Sequence, residues 1–394
     1  MRANLHIHTT ASDGFLTVQD LLDKAAIYAD ETAKKYPYAK QEPFTIAITD
    51  HDTTESAKKA IKIISNDPLK YKNLRVILGV EMTTYNDIAT DIVNQPTNTH
   101  VLAYGIDPNE KVFNSFISNT KNQKQAIEQK MVEEANKTYK KIYNADNFFS
   151  VEEAQKNYAP LKKGILGIYN YMTKHLETKS MVENVVLKDQ KIKKILSEKN
   201  LPQNTNDFMN ELEEYFYTID HNNKARNSEK AIAEYLAAKT EKPVDELNQM
   251  ISTSAESTKF KTFKNELNNN LEQFKRTFKP SEYKYLPKFE DLYNSLEKQD
   301  GAIIGLAHPL DTVSKIEEHS DKYKFLSSLY EDFVRFTREK AKFSEVYYQS
   351  YTGATQDFDL YKFTNRFLDI LSEKYELFKT GSADTHRLNI FKRF

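Results

Sequence analysis

Short apolar runs alternate with amphipathic helical patterns at both ends of this chain, and a long polar stretch separates the two sets. On the N-terminal side the runs are "ANLHIHT", "FTIAITDHDT", "RVILGVEMTT" and "THVLAYGID". On the C-terminal side they are "GAIIGLAHP", "SEVYYQS" and "YELFKTGSADTH". Their apolar and β-branched character reads as seven strands. Between them, "LTVQDLLDKAAIYADETAKKY" has helical spacing, with Thr17 as its N-cap and Leu21, Leu22, Ala25 and Tyr28 on one face. "TTESAKKAIKIISND", "KYKFLSSLYEDFVRFTREKA" and "DFDLYKFTNRFLDILSEKY" read as further helices. Such alternation implies an α/β fold of parallel strands with helical crossovers. Strands this continuously apolar suit a sheet buried on both faces, as in a β/α barrel.

The middle differs. Between Asp107 and Asp300 the chain is rich in Lys, Asn, Glu and Gln at helical spacing, and no strand or repeat is evident. The expected organisation is therefore a barrel built from residues 1–106 and 301–394, with a large helical insertion, 107–300, after strand four. The insertion reads as a lid or cap, or alternatively as a module for a protein partner or for oligomerisation. Breaks within it are expected at "NYAPLKKG", "NLPQNTND" and "EKPVDE".

Composition excludes several classes. The 394 residues carry a formal net charge of -1, which argues against coating nucleic acid by bulk electrostatics, although a local basic cleft stays open. There is no cysteine, so any metal must be held by nitrogen and oxygen. Met1 runs into a polar strand without the pattern of a signal peptide, and no apolar run approaches the ~20 residues of a membrane span. A cytoplasmic protein with no membrane partner is expected, in keeping with cysteine-free composition.

The ligand-type residues gather at strand ends, where active groups of β/α barrels collect. Strand one ends with His6 and His8, and Asp13 follows in the loop. Strand two ends with Asp50 and His51, and strand three with Glu81. His100 begins strand four, His308 ends strand five, and Asp384 and His386 end strand seven. Six of the nine histidines fall in this set; His175, His221 and His319 do not. Residues i and i+2 of a strand share a face, so His6 and His8 point the same way, as do Asp384 and His386. A lone His-x-His is weak, but imidazoles and carboxylates meeting at one barrel mouth suit a divalent metal: zinc, manganese or iron.

In order and context, "HIHT…SDG", "ITDHD", "GVEMT", "HVLAYG", "AHP" and "GSADTH" resemble the PHP family, named for polymerase and histidinol phosphatase domains. The resemblance covers residues 1–106 and 301–394, with "RNSEKAIAEYLAAK" and the stretch before "AHP" similar to the helical insertion of small-molecule phosphatases in that family. It implies a distorted seven-stranded β/α barrel and a metal-dependent phosphoesterase using two or three divalent ions (Mn, Fe or Zn). By this resemblance His6, His8, Glu81 and Asp384 hold one metal. Glu81 bridges to a second, shared with His100 and His308, and Asp13, His51 and His386 hold a third. Asp50 then orients an imidazole. Glu345 either does the same or forms a strand-end salt bridge. A metal-bridged hydroxide attacking phosphorus is the implied chemistry. Arg226, Arg387 and Lys288 are candidate clamps for the phosphate, each with a surface salt bridge as the plainer role. The expected substrate is a small phosphorylated molecule: a nucleotide, cyclic phosphate or sugar phosphate. The alternatives are a nuclease trimming 3′ ends of DNA or RNA, and a regulatory subunit of a larger assembly.

Overall fold

The structure is a computed structural model that describes residues 3–14, 16–35, 43–86, 92, 97–145, 150, 175–219, 228–277, 286–309, 313, 316, 319–348 and 358–382. By compactness the chain divides into two units. The first comprises Met1–Gln125, Asn157–Gly164 and Phe278–Phe394, and the second Ala126–Lys156 and Ile165–Thr277.

The first unit holds a seven-stranded sheet whose spatial order equals its order in the chain. The strands are β1 (Ala3–Ile7), β2 (Phe44–Ile48), β3 (Leu74–Asn86), β4 (Thr97–Tyr104), β5 (Ile303–Leu306), β6 (Ala341–Tyr348) and β7 (Phe378–Ser382). Helix α1 (Val18–Lys35) links β1 to β2, and α2 (Glu55–Asn66) links β2 to β3. Thr17 caps α1: its hydroxyl accepts from Asp20 N at 3.1 Å and donates to the Asp20 carboxylate. Leu21, Leu22 and Ala25 of α1 are buried, and Tyr28 packs half-buried beside them.

One expectation is corrected. β4 runs antiparallel to both β3 and β5, so the sheet is mixed, while β1–β2–β3 and β5–β6–β7 are parallel. The stretch from Asn86 to Thr97 is too short for a crossover, which takes about a dozen residues or more. β4 also starts at Thr97, so His100 lies inside the strand, paired with Thr83, rather than at its beginning.

The sheet is curled. His6 on β1 and Glu345 on β6 touch side chain to side chain at 3.2 Å, whereas five strand spacings of ~4.8 Å would hold them roughly 24 Å apart in a flat sheet. Side-chain alternation agrees. Ile46 and Ile48 pack with α1 and α2, while Ala47 between them faces the inside of the curl. Val101 and Ala103 likewise face outward, and Leu102 and Tyr104 inward. Inside, Leu102, Tyr104, Ala307 and Phe343 form a small apolar plug, with Tyr104 and Phe343 stacked at 4.6 Å. Polar ligand-type residues occupy the interior beyond that plug.

In the second unit the described elements are helical. After the C-terminal part of α3 (Lys111–Tyr143) come a π-helical turn at Val182–Val186, α4 (Gln190–Glu198), α5 (Thr205–Ile219), α6 (Ser228–Thr240), α7 (Val244–Thr253) and α8 (Ser257–Thr277). Breaks fall within "NLPQNTND" and "EKPVDE"; "NYAPLKKG" lies outside the described residues. The first unit is completed by α9 (Phe289–Leu296), α10 (His319–Thr337) and α11 (Phe358–Lys374).

Candidate metal centre

Glu81 is the hub. It lies on β3 at the point where His51 bridges to that strand, and it is wholly buried. Its Oε2 is 3.1 Å from His6 Nε2, 3.2 Å from His8 Nε2 and 3.1 Å from His51 Nδ1. Its Oε1 is 2.8 Å from His100 Nδ1 and 2.9 Å from His308 Nε2. Five imidazoles thus converge on one carboxylate. Their rings crowd one another, with His8 and His51 centroids 4.5 Å apart and His6 and His8 5.0 Å apart.

Each side chain reaches the hub for a local reason. A register irregularity in β1 between Asn4 and Ile7 spans the first of the two inward histidines, His6. The following loop folds back on itself: Ser12 N and Gly14 N both donate to Thr9 O. Gly14 is required because a Cβ there would stand 2.1 Å from His8 O. The loop brings Asp13 Oδ1 to 3.4 Å from His8 Nδ1 and 3.7 Å from His51 Nε2. His308 adopts φ 28, an uncommon backbone for a non-glycine residue, and its N–H donates to Glu345 Oε2 at 3.0 Å.

Protonation can be argued atom by atom. His6 Nδ1 faces both oxygens of Glu345 at 3.2 Å, so it carries a hydrogen to donate there. A neutral His6 then presents its Nε2 lone pair to a Glu81 oxygen 3.1 Å away. Two acceptors that close repel unless positive charge lies between them. Burial pushes the His51 imidazole down to about 4, against the pull of Glu81 and Asp13, so it is neutral at pH 7. Among the described residues its buried Nδ1 has no hydrogen-bond partner, although Glu81 is adjacent. Burial alone would raise the Glu81 carboxyl, but His51, His6 and His100 together hold it well below the ordinary carboxylate range. Burial, joined by the charges of Glu345 and Glu81, pushes the Tyr104 phenol well above its usual value, and its hydroxyl donates to Leu5 O. An ionised carboxylate among nitrogen lone pairs is the donor set a divalent cation needs.

Three groups have ligand atoms close enough to share an ion: His6, His8 and Glu81; His8, Asp13 and His51; His51, Glu81 and His100. His6, His8 and Glu81 are fully enclosed, while the His100 side chain is 22% exposed, so the cluster opens on the β4 side.

Asp50 is wholly buried, and its partners are Thr9 N, Thr9 Oγ1 and Ser12 Oγ at 2.7, 2.7 and 2.5 Å. Among the described residues it meets an imidazole through Ser12, whose Oγ is 3.4 Å from His8 Nδ1. Lys288 is exposed, ahead of α9, with Nζ 6.0 Å from the Tyr85 ring. Asp384, His386, Arg387 and Arg226 lie outside the described residues. Sequence reasoning overlooked Thr9, Ser12 and Asp52. All three sat in quoted motifs, and only Asp52, repeating the acid of "DHD", offered a signal.

Fold and site together gather five imidazoles and the carboxylates of Glu81 and Asp13 inside a curled α/β sheet, a donor set that could hold divalent cations. No protein-family model matches the chain. It is 32% identical over 123 residues to the 5′-3′ exoribonuclease Rnm of Salmonella typhimurium, a match covering 31% of this chain and 34% of that protein. The chain thus spans about a third of the length of the curated relative it matches. Among solved structures, it is similar to one from Bifidobacterium adolescentis assigned as a metal-dependent phosphoesterase (15% identity, TM-score 0.40, 98% of this chain and 87% of that one). It is also similar to an amidohydrolase from Chromobacterium violaceum with bound sulfate (13% identity, TM-score 0.46, 99% and 89%).

Proposed function

We propose that the chain is a PHP-type metal-dependent phosphoesterase. The observation that carries this reading is Glu81, whose two oxygens face five imidazoles. On this reading the curled sheet is a distorted (β/α)7 barrel, and residues 107–300 are a helical insertion that caps it or binds a partner.

Two or three divalent ions (Mn, Fe or Zn), when bound, supply charge neutralisation for the phosphate and an activated water. His6, His8 and Glu81 hold one position. His100 and His308 extend it through the other Glu81 oxygen, and Asp13 and His51 hold a further one. Asp384 and His386 complete the set by sequence resemblance. Glu345 keeps the hydrogen of His6 on Nδ1, so that Nε2 stays a donor of electrons. The apolar plug of Leu102, Tyr104, Ala307 and Phe343 closes the far end of the interior, so substrate approaches past His100. Lys288, and Arg226 or Arg387, serve as phosphate clamps in this reading.

The similarity to an exoribonuclease favours a second reading, removal of nucleotides from RNA. The name of that relative specifies 5′-to-3′ polarity, opposite to the 3′ trimming expected from the sequence. Protein purified without chelator should hydrolyse p-nitrophenyl phosphate or its bis-ester with Mn2+, and His8→Ala should abolish the activity. End-labelled oligoribonucleotides, labelled at either end, decide between small ester and RNA. Full activity in His8→Ala would overturn the assignment.

A further inference from the structure

We infer that Asp50 and Asp52, either side of His51, are positioning residues that set Asp13 and Glu81 at the two nitrogen edges of its ring. The inference rests on reading this cluster as metal-holding. His51 faces Glu81 through Nδ1 at 3.1 Å and Asp13 through Nε2 at 3.7 Å. Those two acids belong to different elements: the loop after β1 and the strand β3. Each is fastened by one neighbour of His51.

Asp50 reaches backward. Its carboxylate takes the N–H and hydroxyl of Thr9, both at 2.7 Å, and the hydroxyl of Ser12, at 2.5 Å. These three bonds pin both ends of the turn that precedes Asp13, and they lie in a site with no solvent exposure at Asp50. Asp52 reaches forward. Its Oδ1 accepts from Thr83 N at 3.2 Å and its Oδ2 from Thr83 Oγ1 at 3.3 Å, two residues beyond Glu81. The peptides agree: Glu81 N donates to Asp50 O at 3.2 Å, and Asp52 N donates to Glu81 O at 2.9 Å. Asp52 holds φ 48, in the left-handed region that aspartate tolerates better than most side chains. That turn lets residues 50 and 52 diverge, one carboxylate toward each neighbouring element. The three residues "DHD" therefore act as one ligand between two clamps.

The clamps should act on different metals. Asp50 governs the group His8, Asp13 and His51, and Asp52 governs the groups that use Glu81. The experiment is calorimetric titration of Mn2+ into metal-free full-length protein, with bound metal counted by elemental analysis. Wild type is compared with Asp50→Asn, Ser12→Ala, Asp52→Asn and Thr83→Val. The hydroxyl deletions break one bond of each clamp and keep the test alive if a buried aspartate variant misfolds. Loss of a supporting partner commonly weakens a metal site by about 10–100-fold. Asp50→Asn and Ser12→Ala are expected to weaken one class of Mn2+ site by that factor and leave the rest within about twofold. Asp52→Asn and Thr83→Val are expected to weaken the remaining classes instead. A general loss of stability would not produce this split. If both sets weaken every class equally, or change none, the inference is overturned while the metal assignment stands. If wild type takes up no Mn2+, both fall.

Discussion

His6 and Glu345 meet in a symmetrical contact, with Nδ1 of the imidazole 3.2 Å from each carboxylate oxygen. The acid is fully buried, and its Oε2 also accepts the backbone N–H of His308. One carboxylate on β6 therefore sets the hydrogen position of a residue on β1 and steadies the unusual backbone of a residue after β5. Such outer partners commonly contribute about 10–100-fold to metal affinity.

Glu345→Ala should accordingly lower Mn2+ affinity and turnover by about 10–100-fold. It also leaves the His308 N–H without its acceptor, at a cost of about 1–3 kcal/mol in unfolding free energy. Glu345→Gln keeps one acceptor and should recover part of both losses. Calorimetric Mn2+ titration and urea unfolding measure the two effects separately. Wild-type affinity in Glu345→Ala would remove the link between His6 orientation and metal binding.

Acid should destabilise the metal-free protein in a defined window. His51 is held neutral down to about 4 in the folded chain, whereas an unfolded histidine titrates near the ordinary 6.5. Between those values the unfolded chain binds more protons than the native one, so stability rises with pH there. Read downward, stability is present above 6.5 and is lost progressively toward 4. Glu81 adds loss in the same direction: its folded carboxyl titrates well below 4.5, so its contribution fades as pH falls below that value. Urea unfolding of chelator-treated protein between pH 4 and 7 should show this decline, and His51→Asn should flatten the part above pH 4.5.

The strands, and the histidines and acids at the described strand ends, were legible because their signals are local. Inward histidines two apart at the end of β1 and an acid closing a β-branched run need only the period of a strand. The direction of β4 was not legible from its own residues. It depends on the short link from β3, a distance constraint rather than a pattern. Nor could the sequence show that Glu81 is a hub. That follows from curling, which brings β1, β2, β4 and the end of β5 around one side chain. Thr9 and Ser12 were missed for a related reason. Their partner, Asp50, lies some forty residues away in the chain, and nothing about a Thr or Ser in a loop marks it as bound to a buried acid.

Gly14→Ala tests how tightly the first loop is built. Its Cβ would lie 2.1 Å from His8 O and 2.5 Å from Thr9 N, both backbone atoms that cannot swing aside. Overpacking of this kind costs about 1–3 kcal/mol, sometimes more, and here the displaced atoms include the carbonyl of His8, whose imidazole faces Glu81. Thermal unfolding should fall by several degrees, and hydrolysis should drop further than stability alone explains. Gly301→Ala is the control, since its Cβ would meet nothing nearer than 4.0 Å. Equal effects from the two substitutions would show that space at Gly14 is not limiting.

Metal removal is the broadest prediction, and Glu81→Gln sharpens it. A ligand that binds only the folded chain stabilises it by about 2.7 kcal/mol at a hundredfold excess over Kd. Chelation should therefore lower the melting temperature of wild type, and Mn2+ should restore it. Glu81→Gln removes the charge that cations require but keeps a side chain of the same shape among the same five rings. Its amide can donate to an imidazole lone pair where the carboxylate could not. The metal-free variant should thus melt close to metal-free wild type, within a few degrees, yet gain nothing from Mn2+ and show no hydrolysis. Differential scanning calorimetry of EDTA-treated protein, with and without added Mn2+, reads the first two, and turnover of p-nitrophenyl phosphate reads the third. A variant that still gains stability from Mn2+ would mean that the imidazoles bind the ions without Glu81, and the hub would have to be placed elsewhere.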